Sequence, residues 1–173
     1  MDTIEPSEAV QLGAADPLFF AQYFFPKAIR QRPPPFHRDI WEALVDPANR
    51  YVAIKVFRGG AKTTTLRVFT ALRIAYGFSR TILFVSASQN HAVKTIEWLK
   101  KAVEFNHRFS HTFGLEPGKK WSSEDIEIKH VVEGHTTRII ALGITGQIRG
   151  INIDANQSAP WSHNGSLGMR YDN

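Results

Sequence analysis

The stretch Phe57-Arg58-Gly59-Gly60-Ala61-Lys62-Thr63-Thr64 has residue types and an order suited to polyphosphate chemistry. A glycine turn lets the backbone come close to an anion. The amides of a helix N-terminus then point at it, and the helix dipole adds roughly half a positive charge. In that setting Lys62 reaches the β- and γ-phosphates, and the Thr63 hydroxyl completes a Mg²⁺ shell. Arg58, inside the turn, either stabilises charge building on a γ-phosphoryl group or is a solvated turn arginine. The full pattern G-x-x-x-x-G-K-[ST] calls for glycine at positions 56 and 61, where this chain carries Val56 and Ala61. The competing reading is an ordinary Gly-Gly turn before a helix that starts Lys-Thr-Thr.

Two further stretches offer polar groups. Ser86-Ala87-Ser88-Gln89-Asn90 follows an apolar run, and ligands of open parallel sheets bind outside the carboxyl ends of the strands. Ser86 and Ser88, with Lys94 a turn later, suit a DNA phosphate or the nucleotide; a helix-capping loop explains them equally well. Gly146-Gln147-Ile148-Arg149-Gly150 pairs glycines with a basic side chain, which suits a second γ-phosphate or DNA sensor, or a surface loop. Of the seven histidines, His107 and His111 stand four apart, without an Asp, Glu or Cys at ligand spacing that would complete a zinc site. No Ser-His-Asp grouping follows from spacing.

The elements that must position these residues can be read from periodicity. Asp16 caps a helix over Pro17–Phe25, which packs five aromatics into nine positions. Gln31 to Pro35 is a stiff linker, and Phe36, Ile40, Trp41 and Leu44 fall at helical spacing. Arg50 to Phe57 alternates and is rich in β-branched residues, so it is expected to be the strand that enters the glycine turn. A helix runs from Lys62 to Tyr76 and ends at Gly77. Thr81–Val85 has the continuous apolar character of a strand buried on both faces, and His91–Phe105 is helical. Ile126–Val131 and Thr136–Leu142 flank Glu133-Gly134-His135 as a β-hairpin. The order implies an α/β domain with a parallel sheet.

Composition narrows the class. At 173 residues and 43% hydrophobic, the chain has enough material for one core without staples. It has no cysteine, which excludes disulfides, thiolate metal sites and cysteine nucleophiles. No charge-free apolar run approaches ~18 residues, and the opening Met1-Asp2-Thr3-Ile4-Glu5 lacks the form of a secretory signal. A soluble protein of intracellular type, without a membrane partner, is expected. The net charge of +5 is concentrated, because residues 51–110 hold 10 basic and only 2 acidic side chains. Such a stretch suits nucleotide, DNA or RNA, or is a solvated face.

Five stretches together resemble the N-terminal ATPase domain of tailed-bacteriophage terminase large subunits, the DNA-packaging motors. They are Asp16–Phe20, Pro35–Trp41, Phe57–Thr64, Leu83–Ser88 and Gly143–Gly150. Several short-tailed-phage members carry a similar loop with Arg-Gly and Ala before the lysine. The resemblance implies a RecA-like P-loop fold with a mainly parallel sheet flanked by helices, binding ATP and Mg²⁺. Its ATP-binding residues would be Phe36, His37, Arg58, Gly59, Gly60, Ala61, Lys62, Thr63 and Thr64. Lys62 and Arg58 would be catalytic, Thr63 the Mg²⁺ residue, and Phe36 and His37 would lie near the adenine. The implied partners are double-stranded phage DNA, the portal protein, the terminase small subunit and further copies in a ring. The implied location is the host cytoplasm, transiently at the procapsid.

The resemblance divides the chain into a loosely ordered N-terminus (1–15), a partial ATPase domain (16–154) and a non-homologous polar tail (155–173). Family members follow Gln147-Ile148-Arg149-Gly150 with an apolar strand that ends in paired acidic residues. Here Ile151-Asn152-Ile153-Asp154 leads into a polar tail from Ala155, as after an intron, frameshift or deletion. The sheet is therefore expected to be incomplete at its C-terminal end, and hydrolysis by this chain alone to be poor. Two alternatives remain: another P-loop DNA motor fragment, and a non-catalytic nucleic-acid-binding or regulatory protein that uses the basic stretch.

Overall fold

A computed structural model of the protein describes residues 4–29 and 33–144. Helix α1 (Pro6–Ala15) occupies the segment expected to be loosely ordered. Its small residues, which carry little apolar signal in the sequence, are what seat the helix. Ala9 and Gly13 are buried, which lets α1 approach α2 (Pro17–Phe24) closely, and the Tyr76 hydroxyl donates to the Val10 carbonyl at 2.8 Å. Asp16 ends α1 and caps α2, its carboxylate accepting from the Leu18 amide at 2.9 Å. Helix α3 (Pro35–Val45) follows, started by its own first-turn proline.

Helix α4 (Lys62–Ala75) ends as expected at Gly77, whose φ of +62° suits a residue without a Cβ. The Gly77 amide donates to Ile74 and the Phe78 amide to Arg73, the paired bonds of a Schellman ending. Strand β1 (Thr81–Ser86) leads into α5 (Gln89–Phe105), and α6 (His107–Thr112) follows under an Asn106 cap. Strands β2 (Leu115–Trp121), β3 (Asp125–His130) and β4 (His135–Gly143) complete one sheet of order β1-β4-β3-β2.

That order overturns the mainly parallel, RecA-like sheet. Only β1 and β4 pair in parallel; β4 with β3 and β3 with β2 are antiparallel. The parallel expectation rests on residues 50–57 as a strand, and residues 51–57 form neither strand nor helix. Their side chains do not bury enough to hold one, since Tyr51 is 96% and Phe57 66% exposed. The carbonyls of Val56 and Phe57 accept from the Lys62 ammonium, at 2.6 and 3.2 Å, in place of a strand neighbour. The expected hairpin is present, with His130 opposite His135 across the turn. β2 has no clear strand signal in the sequence because Pro117 and Gly118 interrupt it, and its register slips between Pro117 and Trp121.

The helices cover the sheet face that carries Ile126, Ile128, Ile139 and Ala141, and these join the α2, α4, α5 and α6 side chains in one buried cluster. The other face is more open. Leu83 and Val85 of β1 are 42% and 46% exposed, so β1 is not the doubly buried strand its composition implies. On the same face Arg138 makes a two-bond pair with Asp125, at 2.9 and 2.7 Å. The hydrogen bond from Arg138 holds the Asp125 carboxyl below the usual carboxylate range. Among the described residues no helix is long and apolar enough to cross a membrane.

Candidate functional site

The Phe57–Thr64 loop sits at the N-terminus of α4, the position polyphosphate recognition requires. The turn is made by two residues of positive φ, Gly59 at +92° and Ala61 at +53°. Ala61 is the only non-glycine residue of positive φ among those described, and it stands where the motif carries glycine. A residue with a Cβ thus holds a backbone conformation that favours glycine. Helix α4 has no side-chain cap at Ala61, so its first amides keep their donor capacity.

The backbone strain is testable without any ligand. Ala61→Gly is expected to raise stability by up to about 1 kcal/mol, because relief of the left-handed penalty outweighs the added chain entropy. Urea denaturation reads this directly. A loss of stability instead would mean that the turn does not hold Ala61 at positive φ in solution.

Around this turn the structure gathers much of the expected set. The Lys62 ammonium folds back across the turn onto the Val56 and Phe57 carbonyls. His37, buried on α3, brings Nε2 to 3.3 Å from the Gly60 carbonyl and so ties α3 to the turn. Phe36 packs edge-on against Phe57, with ring centroids 5.7 Å apart. Arg58 and Thr63 are exposed, and Thr64 is half-buried. Phe36 and His37 are therefore neighbours of the loop.

The second group lies at the carboxyl ends of β1 and β4. Ser88 caps α5, its hydroxyl accepting from the His91 amide, so the capping reading of that serine holds. Ser86 uses its carbonyl to accept from Ile144. Lys94 is exposed on α5. Gln89 is a residue that spacing does not single out. Its side chain donates to the Ala141 carbonyl at 3.0 Å and accepts from the Gly143 amide at 2.6 Å, fastening β4 to the start of α5. Gln147, Arg149, Asp154 and the tail from Ala155 lie outside the described residues.

Sequence reasoning also misses a cluster of His130, Glu133 and His135 at the β3–β4 turn. The signal is present as H-x-x-E-x-H across the hairpin, but only strand pairing turns that spacing into proximity. A scan against protein-family models, a search of curated proteins and a search of solved structures each returned no match.

Proposed function

We propose that this chain is the ATP-binding part of a terminase-type DNA-packaging motor, holding ATP and Mg²⁺ at the Phe57–Thr64 loop. The observation that carries the reading is the placement of the Lys62 ammonium. It lies across a turn of positive-φ residues, at a helix N-terminus without a side-chain cap. An ammonium held on two carbonyls is ready to exchange them for phosphate oxygens, which carry more charge. The amides of Lys62, Thr63 and Thr64 would donate to the same oxygens, and the exposed Thr63 hydroxyl would join the Mg²⁺ shell. Arg58, exposed within the turn, would neutralise charge on the γ-phosphoryl group. The Phe57 ring, with Phe36 at its edge, offers an apolar surface to the base.

Hydrolysis further needs a carboxylate on Mg²⁺ and another that orients water. The resemblance places both beyond Gly150, where this chain has no paired acidic residues. The chain alone is therefore expected to bind ATP and turn it over slowly. Double-stranded DNA, a portal and a small subunit are the partners of this reading, with the basic residues of 51–110 as the DNA-facing charge.

The test is equilibrium binding of a fluorescent ATP analogue with Mg²⁺, by anisotropy. Lys62→Ala is expected to weaken binding about tenfold or more, as loss of a charge-assisted bond implies. Equal affinity in Lys62→Ala, together with salt-sensitive DNA binding that ignores nucleotide, would favour a non-catalytic nucleic-acid-binding protein and overturn the proposal.

A further inference from the structure

We infer that His130, Glu133 and His135 form a binding site for one Zn²⁺ ion at the β3–β4 turn, separate from the nucleotide loop. Each residue offers one ligand atom, and these atoms all lie within 4.8 Å of one another. The hairpin register creates the cluster. His130 ends β3 and His135 starts β4, directly opposite each other, so both imidazoles leave the same face of the sheet. Their rings stack with centroids 4.0 Å apart. The turn between them is closed by the Gly134 amide on the His130 carbonyl at 2.9 Å, and it supplies Glu133.

Three observations point to a cation rather than to packed histidines. First, His130 is 2% exposed, yet its Nε2 has no hydrogen-bond partner, and the buried Nε2 of His135 has none either. Two orphaned ring nitrogens in one place cost stability unless something fills them. Second, a carboxylate stands beside the two rings, that of Glu133. One Glu133 oxygen lies 3.2 Å from His135 Nδ1. Third, Gly77 keeps a side chain away from the cluster. A Cβ there would stand 3.1 Å from His135 Nε2 and 3.3 Å from Glu133 Oε2. The Schellman ending of α4 requires glycine at that position for its φ, and the same residue keeps a side chain off the donor atoms.

The chemistry of the donor set fits. Two imidazoles and a carboxylate suit Zn²⁺ with a fourth position for water, a harder fit for Ca²⁺ or Mg²⁺. Arg80 works against the ion, since its guanidinium brings positive charge beside His135 and its Nη1 is also without a partner. Glu133 offsets it. The site lies at the C-terminal end of α4 and the phosphate loop at its N-terminal end. A 14-residue helix separates them by roughly 20 Å, so this is not the Mg²⁺ of a bound nucleotide.

The full chain, free of any histidine tag and stripped with chelator, is titrated with Zn²⁺ against a chromogenic competitor. One Zn²⁺ per chain with micromolar or tighter affinity is expected, with a rise in thermal midpoint that EDTA reverses. Glu133→Gln and His135→Gln are each expected to weaken binding tenfold or more; both sit at the rim of the cluster, and circular dichroism checks that they fold. Arg80→Gln is expected to tighten binding, and His107→Ala with His111→Ala to leave it unchanged. The inference is overturned by no saturable binding below about 100 μM, an affinity of roughly −5 kcal/mol. It is overturned equally if affinity is unchanged in both Glu133→Gln and His135→Gln, or is lost with His107 and His111.

Discussion

Phe20→Ala is expected to destabilise the domain by about 3–5 kcal/mol, the range for a large aromatic removed from a packed core. Phe20 is 0% exposed, and its ring contacts those of Phe24, Phe25, Tyr76, Phe109 and Phe113 at centroid distances of 5.0 to 6.2 Å. These rings come from α2, the segment just after it, the end of α4 and the α6 region. The cluster therefore joins three helical segments that lie far apart in sequence. Loss of its centre leaves a cavity whose walls are other rigid rings, which collapse poorly. Against a typical stability of about 5–15 kcal/mol, the variant should show a large drop in urea midpoint. Phe19, half-buried and stacked on Tyr23 at 5.3 Å, is the control. Phe19→Ala should cost under about 1.5 kcal/mol, since a side chain that stays partly hydrated loses less on truncation. Equal costs at the two positions would show that the aromatic cluster is not the centre of the core.

The aromatic density of 17–25 makes that helix legible in the residues themselves, and the same holds for α3, α4 and α5. Each has a periodic apolar face, and Asp16, Ser88 and Gly77 mark boundaries with their own local chemistry. β1 is legible as a strand but not as to its surroundings. A continuous apolar run states that a segment is extended and greasy, not which of its faces a helix will cover. Leu83 and Val85 face the open side, while Ile82 packs against the core. Residues 51–57 mislead for a related reason. Alternation shows that a segment can pair, yet a strand exists only where a neighbour takes its backbone groups, and here Lys62 takes two of the carbonyls.

The site is legible where chemistry is local and opaque where it is assembled. Arg58 to Thr64 are contiguous, so their turn and helix start can be read directly, including Ala61 at a glycine position. His37 reaches that turn across 23 residues, a contact only tertiary structure creates. The His130, Glu133 and His135 cluster is intermediate. Its members lie within six residues, but strand pairing rather than helical periodicity brings them together. Counting histidines at helical spacing therefore leads to His107 and His111, whose ring centroids are 5.2 Å apart and which, among the described residues, have no carboxylate that joins them in a metal-sized cluster.

Gly143→Ala is expected to cost about 2–3 kcal/mol, a penalty of overpacking rather than of a lost contact. A Cβ on Gly143 would stand 2.7 Å from the Gln89 amide nitrogen, 3.2 Å from the Ser88 carbonyl carbon and 3.3 Å from Gln89 Cα. All three are backbone atoms, so no side chain can swing aside. β4 is held in place by β1, which pairs with it out to Gly143, and by β3, which pairs with its other edge as far as Ile140. α5 is held by Ala92, Ile96, Leu99, Ala102 and Val103 in the core, so the strain falls on the first turn of α5. There the two hydrogen bonds of Gln89 to β4 would be lost, leaving the Ala141 carbonyl without that donor. Gln89→Ala removes the same two bonds without the clash and should cost about 1–3 kcal/mol. If the clash acts by unseating Gln89, the double variant will cost clearly less than the sum of the singles, as coupled neighbours do. Strict additivity would mean that the strain is relieved elsewhere, by β4 parting from β1. In that case hydrogen exchange at Leu83 to Ser86 would speed up in Gly143→Ala and not in Gln89→Ala.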